Sequence, residues 1–314
     1  MFNRLASVVQ HFRAASLASS LVAIGAIWLI NLAWSHLAGI RLTHGSALLI
    51  AIAILLANLA FYRGRSGGER AAAMAMGFAT FFAIASGETA LIYLAATADR
   101  PLIDGALAAG DAALGFDWLG WYRVVQAHDP LRWILDVAYS TMGPQIVLCL
   151  VVLPITGRFA RNREWITSFA IALTLTVILF GLFPAQGAWV EHGVRDAAGL
   201  PYLQTLRALR DGRFTEMRLD QLDGLITFPS FHIAAAVLLM YASRGTPWMP
   251  LAVAMNVTMA VAAISQGMGG HYLMDGIGGI AVALTGIAIA RLLEKTAARR
   301  IRPVIATQQP SGHS

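Results

Sequence analysis

The sequence predicts an all-α polytopic membrane protein with about eight transmembrane helices and one interfacial amphipathic helix. Three observations carry that prediction. Of 314 residues, 57% are hydrophobic and only 13% are charged, with a mean hydropathy of +0.63; a soluble domain carries about a quarter charged residues. Apolar runs recur at roughly the 20-residue length a bilayer requires. The basic residues fall in short clusters between those runs, as topology signals do.

Taken in order, the expected spans are about 17–37, 45–62, 72–97, 131–155, 165–185, 230–243, 248–268 and 271–293. The first follows Arg4 and Arg13 like a signal peptide. It is long for a signal core and no small-x-small cleavage site follows, so it reads as a retained helix. With the N-terminus inside, cytoplasmic segments hold fourteen of the 23 basic residues, among them Arg63, Arg65, Arg158, Arg161, Arg163, Arg244 and Arg291. The long 186–227 loop, whose basic residues the rule discounts, lies on the other side. An even number of spans then puts both termini in the cytoplasm and the long loop outside, in a bacterial-type inner or plasma membrane.

Between the third and fourth spans, segment 98–130 alternates Asp99, Asp104, Asp111, Asp117 and Asp129 with apolar residues. That pattern fits a helix lying along the outer interface, with Trp118, Trp121 and Tyr122 at headgroup depth. Three units follow: N-terminal helices over 1–97, the third joining the core; a core over 98–293; and a cytoplasmic, disordered tail over 294–314. The lone Cys149 lies in an apolar run and reads as a small buried hydrophobe. The net charge of +6 is spread between spans, not along a groove, so a nucleic-acid partner is excluded.

Two clusters carry the chemistry. In Gly269-Gly270-His271-Tyr272-Leu273-Met274-Asp275 the histidine and carboxylate stand four residues apart at the mouth of an apolar helix. That spacing puts both on one helical face, so Asp275 can hold one ring nitrogen of His271 and leave the other as a base or nucleophile. A helix start favours an anion, and Gly270 lets backbone approach it closely. The alternative is a structural His–Asp pair tying a loop to a helix. In Phe228-Pro229-Ser230-Phe231-His232, Ser230 suits a helix cap or a phosphate donor, and His232 is a second imidazole at a helix entrance. Arg207, Arg210 and Arg213 would share one face of a helix in the long loop and could clamp a phosphate. A zinc site from His232, His271 and Asp275 is disfavoured because Asp275 is committed to His271. Glu88 and Asp136, inside spans, are the weaker intramembrane signals and would serve a non-catalytic carrier.

Pro-Ser-Phe-His (229–232) and Gly-Gly-His-Tyr-Leu-Met-Asp (269–275) resemble the second and third signature motifs of the type 2 phosphatidic acid phosphatase superfamily, which includes lipid phosphate phosphatases, vanadium haloperoxidases and inositolphosphorylceramide synthases. The form of the motifs is most similar to the synthase-like branch, and the resemblance covers roughly residues 98–293. It implies a six-helix phosphatase-like catalytic bundle formed by the last six spans and a phosphohistidine intermediate without a metal or other cofactor. It further implies that His271 attacks phosphorus, Asp275 holds the ring, His232 protonates the leaving oxygen and Ser230 binds phosphate. The substrate would be a membrane lipid phosphate ester or diphosphate, and the acceptor water or a hydroxyl on a second molecule. The family's first motif, a lysine followed by Arg-Pro, has no match. Ser265 and Gln266 occupy the neighbourhood where an arginine usually precedes the nucleophile. Phosphate charge would then fall to Arg195, Arg207, Arg210 or Arg213, and the 186–227 loop would act as the lid that sets acceptor choice, so that trimming it raises hydrolysis over transfer.

Overall fold

The computed structural model describes residues 2–45, 68–194, 200–265 and 270–306, with isolated positions between 53 and 61. The helices in chain order are α1 (Phe2–Leu37), α2 (Glu69–Ala96), α3 (Asp104–Ala113), α4 (Trp118–Ala127), α5 (Asp129–Ser140), α6 (Met142–Ile155), α7 (Phe159–Leu182), α8 (Ala188–Glu191), α9 (Pro201–Arg210), α10 (Phe231–Ser243), α11 (Met249–Ile264) and α12 (Leu273–Ala306). Helix accounts for nearly all the regular structure. The exception is a short parallel pair, β1 (Arg41–Thr43) and β2 (Glu216–Arg218), in register Arg41↔Glu216 through Thr43↔Arg218.

Four helices are long and apolar enough to cross a bilayer: Ser20–Leu37 within α1, α2, α7 and Leu273–Thr296 within α12. A fifth span arises if α5 and α6, bent by 44° at their junction, are one. The bend has a local cause: Pro144 lacks the amide hydrogen that would continue the ladder to Ser140. Helices α10 and α11, of 13 and 16 residues, are apolar but shorter than roughly 20 residues. The expected span 45–62 lies almost wholly outside the described residues, as do Arg63 and Arg65. Side chains such as Ile178, Leu251, Leu284 and Leu292 point outward from these helices and stay exposed, as a lipid-facing surface requires. This is a multi-pass membrane architecture.

The long α12 packs against α7 and α10, and α10 also packs against α11 and α7. Close contact with α10 depends on Gly279, where an added Cβ would run into the Ser230 carbonyl oxygen; small residues let helix backbones approach in a bilayer. An apolar core of Phe81, Trp165, Phe169, Leu238, Met259 and Val282 fills the middle of the bundle.

Three expectations are corrected. Segment 98–130 is not one interfacial helix but two short helices, α3 and α4, folded onto the end of the bundle. Asp104, Asp111 and Trp118 are buried there, Trp118 to 2% exposure, because each has a hydrogen-bond partner far along the chain, given below. The described residues of segment 186–227 pack onto the core instead of forming a loop that can be trimmed: Leu203, Leu206 and Leu209 of α9 are buried with Met217 and Leu225, and Asp223 N–H donates to the Tyr93 hydroxyl at 2.8 Å. Their removal would strip the core beneath them. The last helix continues to Ala306, past the 294 boundary of the expected tail, and residues 307–314 lie outside the described residues.

Candidate active site

His271 sits two residues before α12, and Asp275 lies in that helix's first turn. The His271 Nδ1 stands 3.1 Å from Asp275 Oδ2, which also accepts the Tyr272 N–H at 3.0 Å. Both side chains are buried, His271 to 3% and Asp275 to 0% exposure. Donation from Nδ1 fixes the tautomer and leaves Nε2 with its lone pair. The His271 main chain is held from two sides: its N–H donates to the Ala263 carbonyl at 3.1 Å, and its carbonyl accepts the Trp118 indole N–H at 3.0 Å. Trp118 is itself stacked between His192 and Tyr122, with ring centroids at 5.1 and 5.5 Å.

Two buried aspartates of α3 complete the support. Asp111 accepts the Leu273 and Met274 N–H groups at 3.0 and 2.9 Å, capping α12. Asp104 accepts the Gln186 and Gly187 N–H groups and the Tyr272 hydroxyl, all within 3.0 Å. The first amides of α12 are therefore spoken for by carboxylates. The expectation that this helix start binds the substrate anion is not met, because Asp111 supplies the negative charge that the helix terminus favours.

The second cluster meets the first through the backbone. Ser230 N–H donates to the Asp275 carbonyl at 3.0 Å. Ser230 is buried and caps α10 over a long 3.5 Å contact with the Ile233 N–H, so its own hydroxyl hydrogen is not used by the cap. Two residues on, the His232 ring stacks on Tyr139 of α5, centroids 3.9 Å apart. Through the Ser230–Asp275 contact the two imidazoles stand at the same end of the bundle, His232 in the first turn of α10 and His271 just ahead of α12.

The remaining expected residues separate. Gly270 has φ +62°, donates its N–H to Ser265 O at 3.3 Å and accepts Ala188 N–H at 3.0 Å. Its amide is thus engaged by the protein rather than offered to a ligand. An added Cβ would stand 2.6 Å from the Trp189 ring. Gly270→Ala is therefore expected to cost about 2–4 kcal/mol, from the left-handed backbone and the overpacking together. It should lower both the thermal midpoint in detergent and turnover; an unchanged midpoint would show that Trp189 moves aside freely.

The three arginines do not share a face, because α9 ends at Arg210 and the chain turns through Gly212 at φ +68°. Arg210 pairs with Asp99 at 2.7 Å and Arg213 with Asp211 at 2.6 Å, so both are engaged by carboxylates. Arg207 donates to Gln186 Oε1 at 3.2 Å, and Asp104 accepts the backbone N–H of that same glutamine. Arg195 and Gln266 lie outside the described residues. Glu88 is buried and accepts a hydrogen bond from Thr174, joining α2 to α7, while Asp136 keeps one carboxylate oxygen buried and without a hydrogen-bond partner.

Sequence reasoning missed Asp104, Asp111, Trp118 and Tyr139. The first two carried a signal: acids seven residues apart recur on one face of a helix, where an apolar neighbourhood marks buried, partnered carboxylates.

Chemically, the arrangement presents an oriented Nε2, a second imidazole and a serine hydroxyl at one buried helix junction. Comparison with known sequences and structures gives one positive result. No curated protein and no solved structure matches the chain, whereas the sequence profile described as PAP2 superfamily matches residues 105–289, more than half of its length. The match takes in α3 and both histidine clusters, leaves α1 and α2 outside, and suggests phosphatase-type activity. The chain belongs to the PAP2 superfamily.

Proposed function

We propose that this protein is an integral membrane lipid phosphatase or phosphotransferase that works at the extracytoplasmic face through a phosphohistidine. The observation that carries the reading is the junction where Ser230 N–H binds the Asp275 carbonyl while Asp275 holds His271. It brings a nucleophile, its orienting carboxylate, a phosphate donor and a second imidazole together. His271 Nε2 attacks phosphorus, the P–N bond forms and the P–O bond to the lipid breaks. His232 gives its proton to the departing alkoxide. Water or a hydroxyl then attacks the phosphohistidine, His232 takes back the proton, and the P–N bond breaks. Asp275 stabilises the imidazolium, and Ser230 with Arg207 addresses the phosphoryl oxygens as charge develops.

The lipid's tails stay in the bilayer while its phosphate reaches the end of the bundle. We place that end outside because the opposite end gathers Arg158, Arg161, Arg163, Arg244 and Arg291. In this reading α2, the α5–α6 pair, α7, α10, α11 and α12 form the six-helix catalytic bundle, and α1 with the 45–62 segment completes eight spans. The synthase-like form of the two motifs favours a headgroup transferase of the inositolphosphotransferase type, with the part of segment 186–227 that packs onto the core excluding water from the phosphoenzyme.

The test is purified protein in neutral micelles offered a panel of lipid monophosphates, diphosphates and phosphodiesters, with and without a polyol acceptor. Phosphate release or transfer from at least one lipid, lost in a folded His271 variant, is the expected result. A polyol that diverts product from free phosphate to a phosphorylated polyol identifies the transferase. No turnover on any lipid by intact protein overturns the enzymatic reading in favour of a carrier.

A further inference from the structure

We propose that the end of the bundle opposite the histidines carries a binding site for one anionic phospholipid, its phosphate held between Arg158 and Arg161. Three arginines gather there from two elements, the start of α7 and the end of α10. Arg158 caps the start of α7, Arg161 lies in that helix's first turn, and Arg244 follows α10. Arg161 reaches across to donate to the Arg244 carbonyl oxygen, and it stands within the like-charge field of both Arg158 and Arg244.

Among the described residues, the one carboxylate hydrogen-bonded into the group is already committed. Glu164 accepts from the Tyr241 hydroxyl and from Arg244, whose guanidinium also lies 3.7 Å over the Tyr241 ring. Among the described residues, Arg158 and Arg161 have no ion-pair partner. Arg158 lies 5.5 Å over the Trp248 ring, and its Nη1 is closed off from solvent with no hydrogen-bond partner. Neighbouring guanidinium groups repel, and with Glu164 committed elsewhere a phosphate at the accessible edges of Arg158 and Arg161 cancels that repulsion and matches the guanidinium fork.

The surroundings select a lipid as the source of that phosphate. Trp248 has the amphipathic ring that settles at headgroup depth. The exposed side chains of Ile155 and Leu251 lie just beyond the cluster along the adjoining helices and give acyl chains an apolar flank. Basic pockets between transmembrane helices take anionic headgroups for these reasons. A topology signal alone needs only charge near the membrane. It does not need Arg161 fixed to a carbonyl 83 residues away along the chain.

Native mass spectrometry of the full chain in maltoside micelles, with equimolar phosphatidylglycerol and phosphatidylcholine, tests the proposal. One phosphatidylglycerol retained in clear preference is expected, and equal retention overturns it. Arg158→Gln with Arg161→Gln should weaken phosphatidylglycerol about thirtyfold, from two lost contacts to an anionic headgroup, and leave phosphatidylcholine unchanged. His271→Gln should keep the preference, which separates this site from the candidate active site. Preference retained in the arginine variant, or lost in the histidine variant, overturns the assignment. Displacement of the lipid by inorganic phosphate at equal concentration would show a free-anion site and overturn the lipid. Should the double variant not fold, Arg158→Gln alone and the lipid preference of the unaltered protein decide.

Discussion

His271→Gln is expected to abolish turnover, lowering kcat by about five orders of magnitude, as removal of a nucleophile that acts as part of a unit does. Glutamine is the informative replacement. Alanine would leave the Asp275 carboxylate buried with only the Tyr272 N–H, and breaking a buried pair can cost about 3–5 kcal/mol. The glutamine amide keeps a donor near Oδ2 while removing the nucleophilic nitrogen. Two readouts are needed: product release, and covalent labelling from a lipid carrying labelled phosphate. Both should vanish while the thermal midpoint stays near that of the parent. Asp275→Asn should behave differently. It retains an oxygen for the His271 Nδ1 proton and the Tyr272 amide but loses the charge that stabilises the imidazolium, so kcat should fall by about 10²–10⁴ while label still accumulates slowly. Turnover of His271→Gln above about one per cent of the parent would move the nucleophile elsewhere.

Helical periodicity made the centre of this site legible, and sequence separation hid its support. The four-residue spacing of His271 and Asp275 is a local signal, and their contact follows from it even though His271 precedes the helix proper. Ser230 could be read as a cap because caps are local too. Trp118 looked like an interfacial anchor because a tryptophan in an amphipathic stretch belongs at a headgroup. Its partner, the His271 carbonyl, is 153 residues away. Asp111 reaches amides 162 and 163 residues further on. No periodicity encodes such pairs; only the folding of α3 and α4 onto the bundle end creates them.

The same distinction explains the arginines and the spans. A three-residue spacing places Arg207, Arg210 and Arg213 on one face only while the helix lasts, and it stops at Arg210. Hydropathy marks where chain is apolar but not where Pro144 breaks it: of the eight expected spans, four are long and apolar enough among the described residues, or five with the bent pair, while the expected end at 243 is where α10 stops.

Burial of the Asp111 cap also changes how the site can meet a phosphate. In a site built on free helix amides, backbone dipoles would carry the anion. Here Asp111 and Asp275 occupy those amides, which leaves side chains, Ser230 and the cation led in by Gln186, to face it. With the family's lysine and arginine signatures unmatched in the sequence, the proposed mechanism leaves the leaving oxygen's proton to His232.

His232→Ala should accordingly lower kcat by about 10²–10⁴, the usual range for a general acid, and the loss should depend on the leaving group. An alkyl phosphate departs as a strongly basic alkoxide and needs the proton; a phenolic or nitrophenyl phosphate departs without it. With an aryl phosphate of similar apolar bulk, the same variant should therefore lose no more than about tenfold in the phosphoenzyme-forming step. In the proposed mechanism His232 also accepts the proton of the attacking water, so dephosphorylation should stay slow in both cases and the aryl substrate should give a burst of one phenol per protein followed by a slow steady state. The Tyr139 ring stacked at 3.9 Å fixes the imidazole plane, and Tyr139→Leu should reproduce a weaker version of the same pattern without the burst, since a tilted imidazole still transfers protons. Equal losses on alkyl and aryl substrates would mean that His232 binds the phosphate rather than protonating the leaving oxygen, and the proton would then have to come from solvent.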